Sequence, residues 1–130
     1  KFLEESGYEV VDIAMSSEEA MHLLEHNTID VVLLDINIDD DRDGIWIANQ
    51  ITDKYKIPFI YLTAYNDKDT IQRAIKTNPY GFLTKPFQQA ELFSAIAIAL
   101  KKHNEIVATK EFTEEKYLFL IWVNLSRLWI

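Results

Sequence analysis

Val31-Val32-Leu33-Leu34-Asp35-Ile36-Asn37, followed by Ile38-Asp39-Asp40-Asp41-Arg42-Asp43-Gly44, is the stretch whose reading decides the fold. Four apolar residues in a row, two of them β-branched, read as a strand buried on both faces. Such a strand belongs inside a parallel sheet with helices above and below it. The run ends on Asp35, and open α/β sheets bind ligands at the carboxyl ends of their strands. Asp35 is therefore a candidate for chemistry. The plainer alternative is a carboxylate that caps a strand-to-loop turn.

Working outward, the same alternation repeats. Lys1 to Ser6 reads as the end of a helix stopped at Gly7. Tyr8 to Ile13 reads as a short strand. Ser16 and Glu19 form a capping box for a helix that turns Ala20, Leu23 and Leu24 to one face and ends near His26-Asn27. After the Val31 strand, Gly44 to Tyr55 is predicted helical, with Ile45, Ala48 and Ile51 inward. Pro58 opens a strand over Phe59 to Thr63. Asp67 to Lys76 is predicted helical with Ile71, Ala74 and Ile75 as its stripe. Asn78-Pro79-Tyr80-Gly81 is a turn. Phe82 to Lys85 is a strand stopped by Pro86, and Gln89 to Lys102 an amphipathic helix with Leu92, Phe93, Ile96 and Leu100 inward. This order implies βαβ crossovers and a flavodoxin-like, doubly wound parallel α/β sheet.

Composition narrows the function classes. The 130 residues include no cysteine, so there is no disulfide frame and no thiolate nucleophile or ligand. A net charge of −8 argues against direct binding to a phosphate backbone. No signal peptide is read at Lys1 and no apolar run is long enough for a bilayer, so a cytoplasmic protein without membrane contact is expected. There is no Gly-rich phosphate loop and no nucleophile elbow, which disfavours a nucleotide-binding domain or a small hydrolase.

Three strand ends carry polar residues: Asp35, Thr63 and Lys85. All are expected in one crevice at the carboxyl edge of the sheet. A carboxylate, a hydroxyl and an ammonium suit an anion attached to the carboxylate: Asp35 accepts a phosphoryl group, Thr63 donates to one of its oxygens and Lys85 neutralises another. A divalent metal would be needed to shield the attacking carboxylate, and Mg²⁺ fits a site of carboxylates, a carbonyl and water. Singly, each residue has a plainer reading, the Thr as a cap and the Lys as a solvated side chain.

The chain resembles the receiver domain of two-component response regulators. The matching residues are Val31-Val32-Leu33-Leu34-Asp35, Tyr61-Leu62-Thr63-Ala64 and Leu83-Thr84-Lys85-Pro86-Phe87, and the resemblance runs over residues 1–102. It implies that Asp35 is the phosphoacceptor, Thr63 the switch hydroxyl and Lys85 the phosphate-sensing ammonium. Phe82 would be the aromatic that turns inward on activation, with Tyr80 the lesser candidate. Asp35 and the Asn37 carbonyl would hold Mg²⁺, and Lys85-Pro86 would be cis, which only a following Pro makes cheap. The implied partner is a histidine kinase or phosphotransfer protein in a phosphorelay; a homodimer is compatible. The function implied is a phosphorylation-driven conformational switch rather than a turnover enzyme. The alternative is a phosphorylation-independent interaction module on the same fold.

Receivers begin with a central strand ending in an acidic pair that supplies the other metal ligands, and this chain is read as starting after it. The expected Mg²⁺ site is therefore incomplete. Asp39, Asp40, Asp41 and Asp43 are considered as substitutes, against the plainer reading of a solvated loop. Residues 103–116 read as a linker or fraying helix end. Residues 117–130 are densely apolar and cannot stay solvated. They weakly resemble the start of a LytTR-type output domain, through which alone DNA would be contacted. Alternatively, Tyr117 to Val123 fills the vacant first-strand slot and Leu125 to Ile130 replaces lost helix, with Val123 and Asn124 standing where the acids would be.

Overall fold

A computed structural model describes residues 8–36, 43–64, 68–107 and 118–123. Its strands are β1 (Tyr8–Ala14), β2 (Val31–Asp35), β3 (Phe59–Thr63), β4 (Gly81–Thr84) and β5 (Leu118–Val123). They form one sheet in the order β1-β5-β2-β3-β4, every pair parallel. The last strand in sequence thus lies in the middle of the sheet, pairing Tyr8 with Leu118 on one side and Val31 with Leu120 on the other.

The helices are α1 (Ser17–His26), α2 (Gly44–Gln50), α3 (Lys68–Ile75) and α4 (Gln89–Val107). Period-2 alternation along β2 and β3 sorts the core into two layers. Val32, Leu34, Phe59 and Tyr61 pack with Ala20 and Leu24 of α1, Ile47 and Ala48 of α2 and Ala74 of α3. Val31, Leu33, Ile60 and Leu62 pack with Leu92, Ile96 and Ala99 of α4. All five residues of β2, and all five of β3, are buried, as a parallel interior strand requires.

Local chemistry sets the ends. The Ser16 side chain accepts from the Glu19 amide and caps α1. Glu19 reaches back to the Met15 amide at 2.6 Å, one residue beyond the usual capping-box partner. The segment expected as one helix from Gly44 to Tyr55 changes form midway: α2 passes at Ile51–Tyr55 into a π-helical turn, closed by Lys56 N–H to Ile51 C=O at 2.7 Å. Lys56 then takes a left-handed conformation that stops the helix.

Three expectations are corrected. Ile75 is 57% exposed, because Thr70 and Ala74 form the buried line of α3 and Ile75 stands about 100° off it. Phe93 is 42% exposed, its ring reaching only the edge of the core at 6.3 Å from Tyr8. α4 continues to Val107, five residues beyond Lys102, so 103–107 are helix rather than linker, helped by the Lys101–Glu105 pair at 2.9 Å. The expectations for residues 1–7, 37–42, 108–117 and 124–130 lie outside the described residues.

Candidate functional site

β2 and β4 deliver the two charged residues. Asp35 ends β2 and is 2% exposed; Lys85 follows β4, with its side chain 15% exposed. Lys85 Nζ donates to Asp35 Oδ2 at 2.7 Å. β3 lies between the two strands, so the pair spans its carboxyl end. Thr63 closes β3, fully buried, and its carbonyl accepts from the Lys85 amide at 2.8 Å. The register places Leu62 opposite Asp35 and Thr63 opposite Thr84, so Thr63 is one residue beyond the acid on the neighbouring strand. The structure therefore brings Asp35, Thr63 and Lys85 to one edge of the sheet. The Lys85-Pro86 bond is cis.

Burial pushes the Asp35 carboxyl above its usual range, while the hydrogen bond and charge of Lys85 pull it back. An ion pair this buried repays its desolvation only through good geometry, and the 2.7 Å bond from Lys85 together with a hydrogen bond from the Ile36 backbone provides it. Asn37 lies outside the described residues. Phe82 is half-buried on β4, directly opposite Tyr61, with ring centroids 5.8 Å apart. Tyr80 packs towards α4 instead, its hydroxyl 3.4 Å from His103 Nδ1.

Sequence reasoning missed three features. Gly44 opens α2 against the backbone of Asp35: an added Cβ would meet the Asp35 carbonyl oxygen at 2.5 Å. A glycine directly after an acidic run beside a candidate carboxylate was the available signal. Asp43, read with a solvated acidic loop, is 4% exposed; it caps α2 by accepting from the Trp46 amide at 3.0 Å and faces Arg73 at 3.6 Å. Tyr61 is fully buried and its hydroxyl lies 2.7 Å from Thr77 Oγ1. Thr77 gives its own proton to the Ala74 carbonyl, so Tyr61 is the donor in that pair. Burial raises the Tyr61 hydroxyl pKa far above its ordinary value, which keeps it a donor.

The described residues alone do not make a full Mg²⁺ site. Mg²⁺ wants hard oxygen ligands in near-octahedral array, and among the described residues no group of three or more acidic or imidazole side chains could hold a metal. β5, the neighbour of β2, has the sequence Leu-Phe-Leu-Ile-Trp-Val, in which no residue type carries a side-chain oxygen.

A family model, the response regulator receiver domain, matches residues 1–97. The chain belongs to that family. Receiver domains are signalling modules of two-component systems, not enzymes, and the family generally binds Mg²⁺ at its phosphorylation site. The chain is 36% identical over 108 residues to the transcriptional regulatory protein PdtaR of Mycobacterium tuberculosis, covering 83% of this chain and 52% of that protein. It is 35% identical over 89 residues to the heme response regulator HssR of Staphylococcus aureus, covering 68% of this chain and 39% of that one. The chain thus spans about half or less of these relatives. Among solved structures, a signal receiver domain of a modulated diguanylate cyclase from Desulfovibrio desulfuricans G20 superposes with a TM-score of 0.74 at 31% identity, covering 81% of this chain and 83% of that one. A two-component response regulator from Clostridium difficile gives 0.71 at 29%, covering 79% and 84%. Like these, the receiver described here is an α/β fold with a parallel sheet between helices. No helix among the described residues is long and apolar enough to cross a membrane.

Proposed function

We propose that this receiver accepts a phosphoryl group on Asp35 from a histidine kinase or phosphotransfer protein, in the cytoplasm. The observation that carries the reading is the buried Lys85–Asp35 pair at 2.7 Å beside Thr63. In the transfer, a carboxylate oxygen of Asp35 attacks phosphorus. The new O–P bond forms as the donor's P–N bond breaks, and the electron pair leaves with the imidazole nitrogen of the donor. The phosphoryl group brings nearly two negative charges into the crevice. Lys85 then shares its ammonium between Asp35 and a phosphoryl oxygen, and the Thr63 hydroxyl donates to another. Movement of Thr63 towards the phosphoryl group would free space beside Tyr61, into which Phe82 turns.

The pairing of Leu118–Val123 with both β1 and β2 supports reading this segment as part of the receiver rather than as the first strand of a LytTR-type output domain. Any DNA contact would then come from elsewhere in a longer protein.

The test is incubation with a small acyl-phosphate donor at high Mg²⁺, followed by peptide mapping of the label. Label on Asp35 that is lost in Asp35→Asn supports the assignment. Label that persists in the variant refutes it. A chain that takes up no label at any Mg²⁺ concentration is instead the phosphorylation-independent interaction module.

A further inference from the structure

The chain contains three histidines, and two of them, His22 and His26, stand four residues apart on the exposed side of α1. Residues i and i+4 of a helix share one face. The two imidazoles meet there, with ring centroids 4.2 Å apart and planes inclined by 32°. Neither ring contributes to the core, which α1 meets through Ala20 and Leu24. The packing of α1 therefore gives no account of why these two residues are imidazoles.

His26 has its tautomer set. Its Nδ1 lies 2.8 Å from the backbone oxygen of His22. A carbonyl can only accept, so neutral His26 carries its proton on Nδ1 and its lone pair on Nε2. A metal-ligating histidine is held in this way, one nitrogen donating to a carbonyl and the other facing the ion. His26 also lines an open cavity of about 490 Å³ with Glu9, Asn27 and Thr28, between the end of α1 and β1. The cavity leaves room for the water molecules that complete a coordination shell.

We propose that His22 and His26 form a two-imidazole chelate for a borderline divalent transition ion such as Zn²⁺, Ni²⁺ or Cu²⁺. Imidazole selects these ions and rejects Mg²⁺, so the site is independent in place and chemistry from the Asp35 crevice. Two nitrogens each 2.0–2.1 Å from a tetrahedral ion lie about 3.3 Å apart, and the ring centroids of His22 and His26 stand 4.2 Å apart. The bound ion ties the last turn of α1 to the turn before it. It would therefore stabilise the helix end next to β1, the edge strand of the sheet. The inference does not depend on phosphorylation of Asp35.

The test uses the whole chain in metal-free buffer, titrated with Zn²⁺ or Ni²⁺ by calorimetry. One equivalent is expected to bind in the wild type, unaffected by excess Mg²⁺. Loss of a second-shell partner of a metal ligand costs about 10–100-fold in affinity, so His22→Ala and His26→Ala should each weaken binding at least as much. His103→Ala should leave binding unchanged. Paramagnetic Ni²⁺ should broaden the ring signals of His22 and His26 together and spare His103. Affinity that survives either His22→Ala or His26→Ala, or that disappears in His103→Ala, would overturn the proposal and mark the binding as an adventitious ion only.

Discussion

Replacing Gly44 by Ala tests how the strand that ends on Asp35 is held. The new Cβ would lie 2.5 Å from the Asp35 carbonyl oxygen, whereas ordinary contact begins near 3.4 Å. Roughly 0.9 Å of separation must be found. Both partners are backbone, so no rotamer change relieves the contact; either α2 or the end of β2 must move. Such overpacking costs about 1–3 kcal/mol. One effect opposes it: Ala is less free in the unfolded chain and a better helix former, together worth about 0.4–1 kcal/mol. A net loss of about 1 kcal/mol is expected. With a urea slope of about 1–3 kcal/mol/M, the unfolding midpoint falls by roughly 0.3–1 M. Gly81→Ala is the internal control: its Cβ would meet only the Ile60 side chain, at 3.3 Å, which can yield by a few tenths of an ångström. It should cost clearly less. A displacement of this size at Asp35 should also slow phosphoryl uptake about 100-fold. An unchanged or raised midpoint for Gly44→Ala, with uptake intact, would refute the reasoning.

Further expectations can be checked on the same chain. Thr77→Val strands the fully buried Tyr61 hydroxyl and should cost about 1–3 kcal/mol, whereas Tyr61→Phe leaves Thr77 bonded to Ala74 and should cost only about 1 kcal/mol; denaturation of both variants decides, and equal costs would show that Tyr61 finds another partner. Asp35 has a folded pKa raised above 3.8, so the native state holds its proton longer than the unfolded chain. Asp35's own contribution to stability should therefore be fully present below its ordinary pKa and be lost as pH rises through the raised value; this part of the pH profile should be missing from Asp35→Asn, and an identical profile in the variant would sink the assignment. Removing residues from 118 onward takes a strand out of the middle of the sheet and should abolish cooperative unfolding. A truncated chain that stays folded and monomeric would show that β5 is dispensable. Mg²⁺ binding should be weak, with little response at Phe82 to beryllofluoride by NMR; saturation at millimolar Mg²⁺ with a large Phe82 shift would mean that ligands outside the described residues complete the site.

The parallel core was legible because its signal is dense. Val31 to Leu34 and Phe59 to Leu62 are apolar on both faces, and only an interior parallel strand wants that. Strand ends then followed from Pro58, Pro86 and the abrupt polar residues Asp35, Thr63 and Lys85. Helix faces were legible only where the apolar residues do not exceed what the core can take up. Ile75 and Phe93 have the right residue type at nearly the right spacing, yet α3 is short and the edge of α4 runs past the sheet. Of the contacts of Gly44, Asp43 and Thr77, only that of Gly44 left a signal in the sequence, its place directly after the acidic run. A close backbone approach, a buried cap and a hydroxyl relay are pairwise facts between segments, and they leave no periodic trace in either segment alone.

The position of β5 separates two demands that a receiver normally meets with one strand. The sheet needs six apolar, β-prone residues between β1 and β2, running parallel to both. Leu118 to Val123 meets that need. Metal chemistry needs something else: oxygen ligands converging at one point beside Asp35. The register sets Val123 opposite Leu34 and leaves the strand to end one residue short of Asp35 without an acid. Packing energy depends on area and tolerates many sequences; Mg²⁺ coordination depends on ligand type and count and tolerates few. Leu118 to Val123 supplies the first requirement, and among the described residues no acidic cluster supplies the second. Among the described residues Lys85 is the cation in contact with Asp35, at 2.7 Å, and under the proposed phosphorylation it would balance part of the added charge.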